Sequence, residues 1–161
     1  MLQALRLQPA RVLTRDGKFV DLPEGGASRD SVPLTDYLAQ PAAATGVSLV
    51  ATDDVRSLTP HLAELHLITV NFDKLGDGRG YSIAAVLRRN GYRGDLRATG
   101  DVLVDQLHML RRVGFSSFEL RADQPEDLAR AALRRHSDAY QAAADEALPA
   151  YRRAPRAGAV A

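Results

Sequence analysis

From Val47 onward the chain alternates between short β-branched or aromatic runs and longer stretches with apolar residues at every third or fourth position. "VSLVAT" (47–52), "HLITVNF" (66–72), "DLRATG" (95–100) and "FSSFELR" (115–121) have the length and composition of strands. The stretches after them have helical spacing. Residues 53–65 place Val55, Leu58, Leu62 and Leu65 on one face behind Asp53 and Asp54, and Pro60 divides them into two short pieces. Residues 81–92 predict a helix stopped by Asn90-Gly91. Residues 101–114 predict the clearest helix: Asp101 caps it, Leu103, Leu107 and Leu110 form its stripe, Arg111 and Arg112 complement its dipole, and Gly114 ends it. Residues 124–148 predict one long helix with Pro125 and two acids in its first turn.

Strands alternating with helices predict an α/β fold with a four-stranded parallel β/α core, as an open doubly wound sheet or a half-barrel. Ahead of it, β-compatible runs flank Asp16-Gly17 and predict an N-terminal β-hairpin. "PEGGASRDSVP" predicts an exposed loop and "LTDYLAQ" two helical turns. The resulting division is 1–45 for the hairpin and linker packed on the core, 46–150 for the β/α core domain, and 151–161 for a mobile tail. A short open sheet leaves exposed edges, which favours a homodimer over a monomer.

Composition narrows the function classes. The 161 residues are 45% apolar and 25% charged, the balance of a globular domain. A net charge of +1 and an aromatic content of 6% argue against nucleic acid and against an anionic membrane surface. Without cysteine there is no disulfide, thiol nucleophile or cysteine-held redox centre. No apolar run reaches membrane-spanning length, and arginines interrupt the first residues where a secretory signal would be continuous, so the expected location is the cytoplasm.

Parallel α/β sheets bind ligands outside the carboxyl ends of their strands. Asp53, Asp54, Asn71, Asp73, Lys74, Asp77, Arg79, Thr99, Asp101, Arg121 and Asp123 fall there. The loop "GDGRG" fits neither the dinucleotide fingerprint nor the P-loop. It leaves two readings open. Gly78, Arg79, Gly80 and Ser82 bind a small anion at a helix start, or Asp77 satisfies backbone N–H groups while Arg79 pairs with an acid. Asp77 and Asp101 are the catalytic candidates should the chain be an enzyme. Arg97, inside a strand, faces away from both neighbours and needs either a carboxylate, with Glu119 on the next strand as the expected one, or an anionic ligand. The four histidines lack metal-binding spacing, so no metal is expected, and no flavin, nicotinamide or other cofactor motif is present.

The segments "DGRGYS", "LRATGDVLVDQ" and "RRVGF" together resemble the core motif of a bacterial family of unknown function associated with assimilatory sulfite and sulfate reduction, whose members are commonly labelled probable oxidoreductases. The resemblance is close over residues 66 to 125 and includes Tyr81, Gly100, Asp105, Gln106, Arg111, Arg112 and Phe115. The chain departs from that pattern at 72–75, and at Val113, where the family usually carries cysteine. The resemblance implies an accessory protein of sulfite reduction, binding a partner enzyme or a small anion. A small enzyme acting on an anionic metabolite, or a structural module without a ligand, are the other expectations.

Overall fold

The computed structural model describes residues 11–22, 31–74, 76–136 and 139–153. Strands β1 (Arg11–Thr14) and β2 (Phe19–Asp21) form the hairpin, with the Gly17 N–H donating to the Thr14 carbonyl at 2.9 Å across the turn. β3 (Val32–Pro33) and α1 (Leu34–Ala39) follow, then β4 (Gly46–Leu49), β5 (Leu67–Phe72), α2 (Arg79–Arg89) and β6 (Asp95–Gly100). α3 (Leu107–Val113), β7 (Ser117–Glu119) and α4 (Glu126–Arg134) complete the regular elements.

The seven described strands form one sheet in the order β2-β1-β7-β6-β5-β4-β3. β3 to β7 are parallel neighbours in chain order, and the hairpin adds to β7 antiparallel. A doubly wound sheet needs the strand order to reverse; here it does not. The helices accordingly share one face. Leu34 and Tyr37 of α1, Ile83 and Leu87 of α2, Leu107 and Leu110 of α3, and Ala129 and Leu133 of α4 form one buried cluster with Val47, Leu49, Ile68, Val70, Leu96, Ala98, Phe118 and Leu13. Those strand residues have one parity, so the cluster covers a single sheet face.

Several element ends differ from expectation. The 53–65 stretch is a 3-10 helix over Val55–His61, because Pro60 within it lacks an N–H, and the Asp54 carboxylate accepts the Arg56 N–H at 3.1 Å. Val32–Pro33, expected in a loop, pairs with β4; residues 23–30 of that loop lie outside the described residues. The 101–114 helix starts late, as a 3-10 turn over Val104–Gln106, and Asp101 does not cap it. Gln106 Oε1 instead takes the Leu103 N–H at 2.9 Å. The long 124–148 helix stops at Arg134. Beyond Leu133 the sequence "RHSDAYQAAADEA" offers alanines but no bulky apolar stripe, and propensity without packing does not sustain a helix. The chain there crosses α3 instead, the Ala144 N–H donating to the Arg112 carbonyl at 3.0 Å. Most of the expected tail, 154–161, lies outside the described residues; Ala150–Arg152 form a 3-10 turn.

The sheet ends on two short strands, β2 and β3, and Pro33 removes a donor from the second. Short edges with proline discourage strand addition by another chain. No helix among the described residues is long and apolar enough to cross a membrane.

Candidate functional site

At the carboxyl end of β5 the glycine loop is closed by its own charges. Asp77 Oδ1 accepts the Arg79 backbone N–H at 3.0 Å, and the Arg79 guanidinium grips the same carboxylate, Nε to Oδ1 at 3.0 Å and Nη2 to Oδ2 at 2.7 Å. These hydrogen bonds hold the Asp77 carboxyl down to about 2, so it stays ionised and is a weak base near neutrality. Gly78 and Ser82 are exposed in the same turn. Gly80 lies against a ring: a Cβ there would come within 2.5 Å of Phe72 Cζ. Tyr81 meets Phe72 edge-on at 5.6 Å and Phe115 tilts against it at 5.9 Å. The arrangement starts α2 and seats it on the sheet. Asp77→Ala is therefore expected to lower Tm by about 2–4 °C through loss of its hydrogen bond to the Arg79 N–H at the helix start, measured by thermal unfolding.

The rest of that edge is also internally paired. Arg121 bridges Asp101, Nη1 to Oδ1 at 2.8 Å, and Asp123, Nε to Oδ1 at 2.7 Å. Asp123 is held down to about 2, chiefly by Arg121. Asn71 donates to Asp73. Aspartates 53, 54, 73, 77, 101, 105 and 123 outnumber Lys74, Arg79 and Arg121 around the edge, so its field is acidic. Burial and then the Asp105 charge push the Tyr81 phenol up. Arg111 Nη1 donates to the Leu133 carbonyl at 2.9 Å, and Arg112 Nη1 donates to Asp145 at 2.9 Å, tying α3 to α4 and to the segment after it.

The sheet's other face is different. Register aligns Thr14, Ser117, Arg97, Thr69 and Ser48 in one row across β1, β7, β6, β5 and β4. Their parity is opposite to the core's, and no described helix contributes a side chain to the cluster on that side. Asn71 and Thr99 are paired one pleat further on. Arg97 lies along this row with only 13% of its side chain exposed. Its Nε donates to Ser117 Oγ at 3.1 Å and its Nη2 to Asp95 Oδ2 at 2.9 Å. Asp95 also accepts from Ser116 Oγ at 2.6 Å and Ser117 Oγ at 2.8 Å. The expected Arg97–Glu119 bridge does not form. The β6–β7 register sets Ser117 opposite Arg97, and Glu119 falls one pleat beyond, while Asp95 is the same-face neighbour two residues back. Arg97 Nη1 is buried with no hydrogen-bond partner among the described residues. A buried cationic donor left open is a position where a ligand atom or water belongs.

The candidate anion ligands are thus divided. Gly78, Arg79, Gly80 and Ser82 share one turn on the helix side, and Arg97 stands on the opposite face among hydroxyls. Ser48, Thr69, Asp95 and Ser117 escaped the sequence reading, although their alternation with buried apolar residues in "GVSL", "LITVNF" and "DLRATG" signalled a polar sheet face.

No curated protein and no solved structure matches the chain. The family described as "Bacterial protein of unknown function (DUF934)" matches residues 46–151, which span β4 to the 3-10 turn after α4 and contain both Arg79 and Arg97. The chain belongs to this bacterial family, DUF934.

Proposed function

We propose that the chain is a binding accessory of sulfite and sulfate reduction that takes a small sulfur oxyanion on the sheet face that no described helix covers, with Arg97 as the charged contact, for use by a reducing enzyme. The observation that carries this reading is the buried Arg97 Nη1 without a partner among the described residues, on a strand flanked by Ser117 and Thr69. An oxyanion offers several acceptors to one guanidinium, and the Thr69 hydroxyl on the adjacent strand supplies a further donor. Sulfur as the central atom rests on the resemblance of the "DGRGYS" and "LRATGDVLVDQ" segments to proteins associated with sulfite reduction. The carboxyl edge supports this reading less, since Arg79 is closed on Asp77 and the surrounding aspartates repel an anion.

A thermal-unfolding series with sulfite, sulfate, phosphate and chloride at matched ionic strength tests it. Sulfite at about 100 times its Kd is expected to raise Tm by about 5 °C or more, with sulfate second and chloride without effect. No shift with either sulfur oxyanion would remove the proposal.

A further inference from the structure

We propose that an arginine-lined cleft at the carboxyl-terminal ends of α2 and α3 docks an acidic peptide segment of a partner protein. This cleft has a volume of about 480 Å³ and is lined by Arg88, Arg89, Arg93 and Arg112 over a floor that includes Ala85 and Ala144. It lies at the amino edge of the sheet, opposite the edge that carries the glycine loop. For a chain whose net charge is +1, this is a strong local concentration of positive charge.

The four arginines fall into two pairs. Arg88 is half-buried and fixed, its Nε donating to the Gly114 carbonyl at 2.8 Å and its Nη1 to the carbonyls of Tyr92 at 2.9 Å and Gly94 at 3.0 Å. Arg112 is fixed by Asp145 and by the Gln141 carbonyl at 2.7 Å. These two build the wall. Arg89 and Arg93 are exposed and make no hydrogen bond or ion pair among the described residues. They supply charge that no described residue neutralises.

The chain already shows what this surface accepts. The non-helical segment around residues 143–145 runs along α3, hydrogen-bonds the Arg112 carbonyl through the Ala144 N–H, and sets the Asp145 carboxylate between Arg111 and Arg112 with 7% of its side chain exposed. A backbone turn over residues 143–146 that carries a carboxylate is therefore what this wall binds in cis, and the exposed pair Arg89 and Arg93 extends the same chemistry outward. A compact polyphosphate suits the cleft less well. Arg88 has turned its donors onto backbone carbonyls, so no tight cradle converges on one point. Carboxylates spaced along a chain match charges spaced along a cleft.

The test uses the full chain and a short fluorescein-labelled peptide alternating glutamate and alanine, read by fluorescence anisotropy at low salt. Saturable binding is expected, weakened at least about tenfold by the double variant Arg89→Glu/Arg93→Glu and unchanged by Arg56→Glu/Arg134→Glu, which alters exposed arginines elsewhere. The matching glutamine peptide is expected not to bind. The neutral pair Arg89→Gln/Arg93→Gln, expected to weaken binding by a smaller factor, covers the case in which charge reversal disturbs the fold. Absence of saturable binding, or equal loss in the Arg56/Arg134 variant, would overturn the proposal. Inorganic tripolyphosphate binding more tightly than the peptide, with the same dependence on Arg89 and Arg93, would overturn the peptide assignment in favour of a small polyanion.

Discussion

Gly100→Ala is expected to lower Tm by about 10 °C or more. Gly100 ends β6 at φ +86°, a conformation that costs an L residue about 1–2 kcal/mol. Space is the larger problem. A Cβ at this position would lie 2.5 Å from Asn71 Oδ1 and 2.6 Å from the Phe72 carbonyl oxygen, and the second is backbone that cannot turn away. That carbonyl is also held by the Asp101 N–H at 2.8 Å, so the clash falls where β5 and β6 are locked together. Strain and overpacking together amount to about 3–5 kcal/mol, and each kcal/mol moves Tm by a few degrees in a domain of this size. Gly78→Ala is the matched control. Its φ is −72° and a Cβ there meets nothing within 4 Å, so Tm is expected to stay within about 2 °C of the parent. A Gly100 variant as stable as the Gly78 variant would mean that the chain leaves β6 by another path.

Asp95→Asn is expected to separate stability from binding. Asp95 accepts hydrogen bonds from Ser116, Ser117 and Arg97, and the Arg97 side chain is 13% exposed against 33% for Asp95. Breaking a buried ion pair costs about 3–5 kcal/mol, and partial exposure of Asp95 reduces the expected loss to about 2 kcal/mol. If Arg97 is an oxyanion contact, the same substitution removes the carboxylate that competes for its guanidinium. Sulfite affinity is then expected to rise about three- to tenfold while Tm falls, with chemical denaturation and calorimetry reading the two separately. Stability and affinity falling together would show that the Asp95–Arg97 pair only holds the sheet.

The parity of Arg97 was legible from "DLRATG", because strand alternation needs only the sequence; its partner was not. Whether Ser117 or Glu119 stands opposite is a matter of register between β6 and β7, and that is set by the whole sheet. The helix over 124–148 failed for the reverse reason. Alanine-rich sequence carries helix propensity, yet after Leu133 no bulky side chain reaches the core, and Asp145 finds Arg112 instead. The glycine loop was read in two ways, and the closed Asp77–Arg79 pair follows the turn reading: local spacing makes the turn, and the acid two residues away reaches the guanidinium before any ligand. Less legible was the sheet face that no described helix covers. Parallel sheets are usually covered on both sides, so alternating polar positions in four strands looked like scattered exceptions until the monotonic strand order placed them in one row.

Isothermal titration of sulfite into three proteins is the most direct test of Arg97 as the oxyanion contact. With the parent as reference, Arg97→Gln is expected to weaken binding about 10- to 100-fold, the value of one charge-assisted hydrogen bond, and Arg79→Ala to leave it unchanged. Affinity retained in Arg97→Gln and lost in Arg79→Ala would move the site to the glycine loop and contradict the account.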